Sequence, residues 1–148
     1  MDKISAEQRS EIMRRVRGKD TTPELAVRKL VYGMGFRYRL HVRDLPGTPD
    51  LVFRPRWKVI FVHGCFWHRH SGCRCFRAPK SNVSFWASKL EKNANRDRRN
   101  QRLLKRNGWD YLVIWECQLR DPRALTARIQ AFFRDSRQCS GLDLNTSK

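Results

Sequence analysis

The run Val59-Ile60-Phe61-Val62 limits the folds open to this chain more than any other segment. Four apolar residues in succession, most of them β-branched, predict a buried strand. The strand leads directly into His63-Gly64-Cys65-Phe66-Trp67-His68-Arg69-His70-Ser71-Gly72-Cys73. Two thiols, three imidazoles and two large aromatics fall within those eleven residues. Soft ligands at that density, beside the end of a buried strand, suggest a metal site. Phe66 and Trp67 stand between the candidate ligands, where burying both is difficult to arrange.

At 148 residues the chain suits one domain with a real core. Lys and Arg number 32 against 14 Asp and Glu, a formal charge of +18. That excess favours a polyanion, because neutralising phosphates releases condensed counterions. Nothing approaches the ~20 apolar residues of a membrane span, and Met1-Asp2-Lys3-Ile4 lacks a secretory pattern. A membrane partner is therefore not expected. Five cysteines, an odd number, fit a reducing cytoplasm and metal ligation better than a disulfide framework.

Ser5-Ala6-Glu7-Gln8 is a capping-box pattern that predicts a short helix from about residue 6. Arg9, Arg14, Arg15, Arg17 and Lys19 crowd its few apolar residues. It reads either as a solvated amphipathic helix or as a DNA-clasping arm with Met13 as a wedge between bases. A second helix is predicted with Thr22 as N-cap, Pro23 at its first position and Val27, Leu30, Val31 and Met34 as its core face. Glu24 lies in its first turn, where the helix dipole alone would account for a carboxylate. Phe36, Tyr38, Leu40 and Val42 alternate with polar residues and predict a half-buried strand. After the turn Leu45-Pro46-Gly47-Thr48-Pro49, the segments Asp50–Phe53 and Trp57–Val62 read as an antiparallel pair joined by Arg54-Pro55-Arg56.

A long helix is expected from Ser81-Asn82 to about Asn107-Gly108. Its apolar residues (Val83, Trp86, Leu90, Leu103, Leu104) lie at the two ends, and Glu91 to Arg102 is nearly all polar. That middle is either a solvated face or a row of phosphate contacts from Lys92, Arg96, Arg98, Arg99 and Arg102. Leu112-Val113-Ile114 is continuous enough to predict a central strand, running from Trp109 to Trp115 and delivering Glu116 and Cys117. Asp121-Pro122 caps a last helix with the stripe Leu125, Ile129, Phe132 and Phe133. The expected organisation is one α/β domain: a basic helix over 1–20, a core over 21–135 and a tail over 136–148.

Cys65, His70, Cys73 and Cys117 can form a tetrahedral set of three thiolates and one imidazole, a mix suited to structural zinc. Cys75 is a rival ligand, and Cys139 is expected to be free. With zinc on His70, His68 and His63 remain. Either can be a satisfied core histidine, and His68 can be a general base, since its unperturbed pKa lies near neutrality. With DNA as partner and Asp50 at the mouth of an apolar strand, a metal-dependent phosphodiesterase is the natural suggestion.

Several segments together carry a family resemblance: Met13-Arg14, Asp20-Thr21-Thr22-Pro23-Glu24 and Leu45 to Asp50, then His63 to His68, Lys92-Asn93, Arg96-Asp97-Arg98-Arg99 and Trp115-Glu116-Cys117. In this order, over about residues 5–135, they closely resemble the very-short-patch repair endonucleases, bacterial enzymes that nick DNA beside a T:G mismatch. The resemblance implies a restriction-endonuclease-like mixed sheet flanked by helices, with a structural Zn²⁺ and a catalytic Mg²⁺. It implies that Asp50 and the backbone carbonyl of Val62 bind the Mg²⁺, that His68 activates the attacking water, and that Glu24 and His63 hold metal-bound waters. Cys65, His70, Cys73 and Cys117 match the zinc ligands. Phe66 and Trp67, with Trp86, match aromatics that wedge into the major-groove side of the mismatch, and Met13 matches the minor-groove wedge. Asn93 and Arg96 are expected at the DNA. The restriction-enzyme pattern of Pro-Asp followed by acidic-x-Lys is half present: Pro49-Asp50 stands, but Val62-His63-Gly64 occupies the second position. Val62 also replaces a hydroxyl residue of some members, a change that a main-chain ligand survives.

The implied protein is a monomeric bacterial enzyme of the cytoplasm, at the nucleoid, working with mismatch-repair mediators. Two other readings share its charge, zinc and aromatics. One is a zinc-stabilised binder of distorted DNA that does not cut, and the other is a related nuclease with a different target. Only a nuclease gives Asp50, His68 and Glu24 a joint task.

Overall fold

The computed structural model describes residues 21–70, 73 and 80–134. The expected N-terminal helix with Met13, the rival ligand Cys75, and the tail with Cys139 lie outside them. Helix α1 spans Thr22–Gly33. Strands β1 (Leu51–Phe53) and β2 (Lys58–His63) follow, joined by a 3₁₀ turn over Arg54–Arg56. Helix α2 (Val83–Arg106), strand β3 (Asp110–Trp115), a 3₁₀ turn over Glu116–Arg120 and helix α3 (Pro122–Arg134) complete the order.

The strands form one mixed sheet in the order β1-β2-β3. β1 and β2 pair antiparallel, as expected from the short connection. β2 and β3 run parallel from Lys58↔Asp110 to His63↔Trp115, and such a pairing needs a crossover, which α2 supplies. β2 is the central strand, buried at every position. This corrects the expectation for Trp109–Trp115: β3 lies at the edge of the described sheet, with Leu112 and Ile114 buried and their neighbours only partly covered. Its apolar continuity comes from packing on both faces without a further strand beside it.

Alternate residues of β2 feed two cores. Ile60 and Val62 join Leu51, Phe53 and Ile114 beneath α1 and α3, which contribute Val27, Val31, Leu125, Ile129 and Phe133. Val59 and Phe61 join Val52, Trp109 and Leu104 of α2 on the other face. Each such side chain, fully buried, is worth about 1.5–3 kcal/mol, so the central strand is the best-anchored part of the molecule.

Two local expectations shift. The stretch from Phe36 to Val42 forms no strand; only Arg39 pairs, exchanging backbone bonds of 2.9 and 3.0 Å with Val52. His41 adopts φ 56°, which interrupts extended backbone, while Phe36 and Tyr38 still pack on the core. The N-cap of α1 is Thr21 rather than Thr22; its side chain accepts from the Glu24 N–H. At the start of α3, Asp121 Oδ1 accepts from the Ala124 N–H at 3.2 Å, the expected cap.

The turn before β1 is fixed by Gly47. Its φ of 79° lies in the left-handed region, and a Cβ there would sit 3.1 Å from Asn100 Cβ of α2 and from the Phe61 ring. Close approach of turn, helix and strand sets where Pro49 and Asp50 emerge.

Candidate active site and metal cluster

Asp50 precedes β1, His63 ends β2, and Trp115 ends β3 opposite His63. The antiparallel entry of β1 thus brings Asp50 to the carboxyl ends of the parallel pair, where α/β sheets commonly hold ligands. A cleft of about 810 Å³ opens there, lined by Glu24 and Arg28 of α1, Asp50, Val62, His63, His68, and Asp97 of α2.

Asp50 Oδ2 accepts from the Val62 N–H at 2.6 Å. The N–H and C=O of one strand residue point to the same edge, so the Val62 carbonyl also opens toward Asp50, past the end of β1. Burial pushes the Asp50 carboxyl up to about 7; the Val62 bond opposes this and the neighbouring Glu24 charge adds to it. A carboxyl in that condition gains from a cation beside it. Glu24 is buried and pairs with Arg28 Nη2 at 3.3 Å.

His68 sits on the loop after β2, whose turns are closed by His68 N–H to Gly64 O and His70 N–H to Cys65 O. Its Nδ1 lies 2.6 Å from Asp97 Oδ2. A carboxylate only accepts, so the proton lies on Nδ1 and Nε2 is left as the basic nitrogen. His63 stacks on His68, with centroids 3.7 Å apart and planes 5° from parallel. Burial, then the nearby His68, lowers the His63 pKa to about 3, so its ring is neutral. His63, His68 and Asp97 place donor atoms within 4.8 Å of one another. Two parallel stacked rings direct their in-plane lone pairs into separate planes, so the trio suits a proton chain better than a shared ion.

Asp97 is the residue that sequence reasoning missed. Trp86, Leu90, Asn93, Asp97, Asn100 and Leu104 recur at alternating spacings of four and three, and all are at least partly buried while most of their neighbours are exposed. The polar middle of α2 continues an inward stripe, with Asp97 and Asn100 at the cleft. Counting polar and apolar residues together would have found it. Val83, the first of the apolar residues at the start of that helix, is exposed.

On the far side of Trp115 the loop gathers a second cluster. Donor atoms of Cys65, His70, Cys73 and Cys117 all lie within 4.8 Å of one another, close enough to hold one metal ion. His70 Nδ1 and Cys117 Sγ are 3.5 Å apart. Burial pushes the Cys65 thiol up to about 12; a bound cation would reverse this, since a coordinating thiol is deprotonated outright. Trp115 joins the two centres: it stacks on His70 at 4.0 Å and meets His63 edge-on at 5.1 Å.

Phe66, Trp67 and Trp86 form one aromatic cluster, with centroids 5.1–5.9 Å apart. All three are only partly buried. Asn93 Nδ2 donates to Trp67 O at 3.1 Å, and Arg96 Nη2 reaches Asn93 Oδ1 at 3.4 Å. The expected site residues within the described regions therefore converge on one end of the sheet.

The fold has a counterpart in the catalytic domain of the homing endonuclease I-Bth0305I, with a TM-score of 0.53 and 23% identity over 77% of this chain and 95% of that domain. That likeness defines the class of architecture, a restriction-endonuclease-like mixed sheet with helices. The family model described as DNA mismatch endonuclease Vsr matches residues 1–74. The type II nicking enzyme V.XorIIP of Xanthomonas oryzae pv. oryzae is 50% identical over 129 residues, spanning 87% of this chain and 94% of that protein. The DNA mismatch endonuclease Vsr of Escherichia coli K12 is 42% identical over 118 residues, spanning 80% of this chain and 75% of its own length. The chain belongs to the Vsr endonuclease family and is a hydrolase that acts on DNA. No helix among the described residues is long and apolar enough to cross a membrane.

Proposed function

We propose that this endonuclease nicks one strand of duplex DNA beside the mispaired T of a T:G mismatch, so beginning short-patch repair, and that it works as a monomer in the bacterial cytoplasm. The observation that carries the catalytic part is the meeting of the half-buried Asp50 carboxylate with the His68–Asp97 pair in one cleft. Asp50 and the Val62 carbonyl would hold Mg²⁺, a hard cation that prefers oxygen ligands. When bound, that ion supplies charge neutralisation at the phosphate and the leaving oxygen.

The chain's own residues do the rest. His68 Nε2 takes a proton from the attacking water, and Asp97, on Nδ1, keeps the ring in the required tautomer and steadies its positive charge. Glu24 and His63 orient water in the same cleft. The neutral His63 ring can do so without repelling a cation. Cys65, His70, Cys73 and Cys117 would bind Zn²⁺; four protein ligands leave no open position, so zinc shapes the loop and takes no part in hydrolysis.

Phe66, Trp67 and Trp86 stand on that loop and on the facing helix, where insertion into a base step costs a few kcal/mol of stacking. A mispaired step is cheaper to open than a matched one, so the wedge selects mismatches. Asn93 holds Trp67 from behind while Arg96 faces the cleft beside it. Met13 would wedge from the minor groove, and mismatch-repair mediators are the expected partners. Nicking assays with Mg²⁺ on matched sets of T:G and T:A duplexes test the reading. We expect one strand cut beside the T of T:G only. Tight binding without cutting would make the protein a binder of distorted DNA, and equal cutting of T:A would indicate another target.

A further inference from the structure

One wall of the cleft has no part in the hydrolysis described above. Glu24 and Arg28 reach the cleft from α1, on one face of the sheet, whereas Arg43 and Thr48 of the loop before β1 and Asn100 of α2 line it from the other. Val42 and Leu45 pack that loop onto the core beneath α2, and Gly47 approaches Asn100 and the Phe61 ring. Around these anchors the backbone is strained: His41, Gly47 and Thr48 have φ of 56°, 79° and 46°. Glycine adopts such a conformation readily, but a β-branched threonine is a true outlier there. Strain of this kind persists where the surroundings over-determine it, and it gathers at ligand sites.

The charge on this wall is positive. Asp44, the carboxylate beside Arg43 in sequence, is held by Arg54 Nη2 at 3.0 and 3.1 Å. Asp97, beside Arg96, faces His68. Among the described residues neither Arg43 nor Arg96 pairs with a carboxylate. Thr48 and Asn100 add a hydroxyl and an amide that can donate. A guanidinium among neutral donors in a concave wall suits a phosphate, which it can grip through two N–H groups at once. One strand of duplex DNA presents a phosphate about every 3.4 Å of its axis. The cleft, at about 810 Å³, has room for a drug-sized molecule, far more than one phosphodiester and its ion. A strand with its scissile phosphate at Asp50 therefore brings a neighbouring phosphate into the same space. We propose that Arg43, with Thr48 and Asn100, forms a second phosphate subsite that holds a phosphate of the nicked strand beside the scissile one, fixing that strand against the Asp50 centre. The proposal rests on the reading of this cleft as the nuclease centre.

The test removes charge from one phosphate at a time. Methylphosphonate links, which are neutral, are placed singly on either side of the nick in the cut strand of a T:G duplex, and single-turnover nicking is followed with zinc-loaded protein and Mg²⁺. Wild type should lose about 10- to 100-fold in rate at one flanking link. Arg43→Gln should nick the unmodified duplex about 10-fold more slowly and lose less than about twofold more at that link, with the penalties at other links unchanged. Its duplex affinity in Ca²⁺ should also fall less steeply with salt, by about one in log–log slope. Arg123→Gln removes an exposed cation of α3 and should leave the flanking penalty and the nicking rate as in wild type. Arg43→Lys keeps the charge and should restore the penalty at the flanking link. An Arg43→Gln protein that nicks at the wild-type rate, or that keeps the wild-type penalty at every flanking link, would overturn the proposal. Wild-type nicking that survives Asp50→Ala would instead overturn the reading of the cleft, and the subsite would fall with it.

Discussion

The two clusters on either side of Trp115 share a loop but differ in construction. The Cys/His cluster takes Cys65, His70 and Cys73 from one short segment and Cys117 from just beyond β3. The cleft takes Glu24 from α1, Asp50 from the entry to β1, His68 from the loop and Asp97 from α2. Soft ligands closed on themselves suit an ion that never leaves, whereas hard oxygens and a basic nitrogen around open space suit one exchanged with substrate. The difference teaches that one loop can be pinned from one side and reactive on the other. The indole of Trp115, stacked on His70 and edge-on to His63, passes the order of the first side to the second.

Several substitutions would break or sharpen that contrast. The largest effect is expected from Asp50→Ala, which should lower single-turnover nicking by about 10³-fold or more, since it removes the anchor for charge stabilisation. Zinc content and melting temperature should hold; loss of either would show that the cleft carries the fold too. Cys117→Ala should do the reverse. Bound zinc should be lost, and the melting temperature should fall by about 10 °C, several kcal/mol for a chain of this size. Metal content equal to wild type would remove Cys117 from the ligand set.

Asp97→Asn tests the proton chain and should cut the rate by about 10- to 1000-fold with zinc and mismatch affinity unchanged. A rate near wild type would leave Asp97 as a structural partner only. The smallest effect concerns pH. In metal-free cleft protein the unfolded chain releases the Asp50 proton near 3.8 and the folded chain near 7. The folded form therefore binds more protons between those values, and stability declines as pH rises through that window. Asp50→Asn should relieve about 1–3 kcal/mol of this at pH ~8 in EDTA, seen as a higher melting temperature than wild type that converges at pH ~4. A variant no more stable at the higher pH would mean that the carboxylate is not held in a desolvated site.

The sequence carried the soft cluster almost whole, because thiols and imidazoles at short spacing have few other reasons to gather. It also carried α1 and α3, whose apolar stripes are regular, and the antiparallel pair at Arg54-Pro55-Arg56. The placing of strands was less legible. Val113 and its neighbours looked central because both faces of β3 are packed, whereas the sheet order puts β2 in the middle. The segment at Tyr38 alternates as a strand would, yet the positive φ of His41 limits it to one bridge. Asp97 was hidden for another reason. It is an acidic residue among arginines on a helix that looks solvated, and only the fold shows that its face points at His68. Arg43 was hidden in the same way, as one more cation in a chain with 32.

The division of labour between the two clusters is tested most directly by treating the protein with EDTA, then titrating Mg²⁺ while nicking rate on a T:G duplex and bound zinc are read from the same samples. Nicking should stop with zinc still bound, and Mg²⁺ alone should restore it in full. Nicking that persists without Mg²⁺, or that returns only when Zn²⁺ is added, would contradict it.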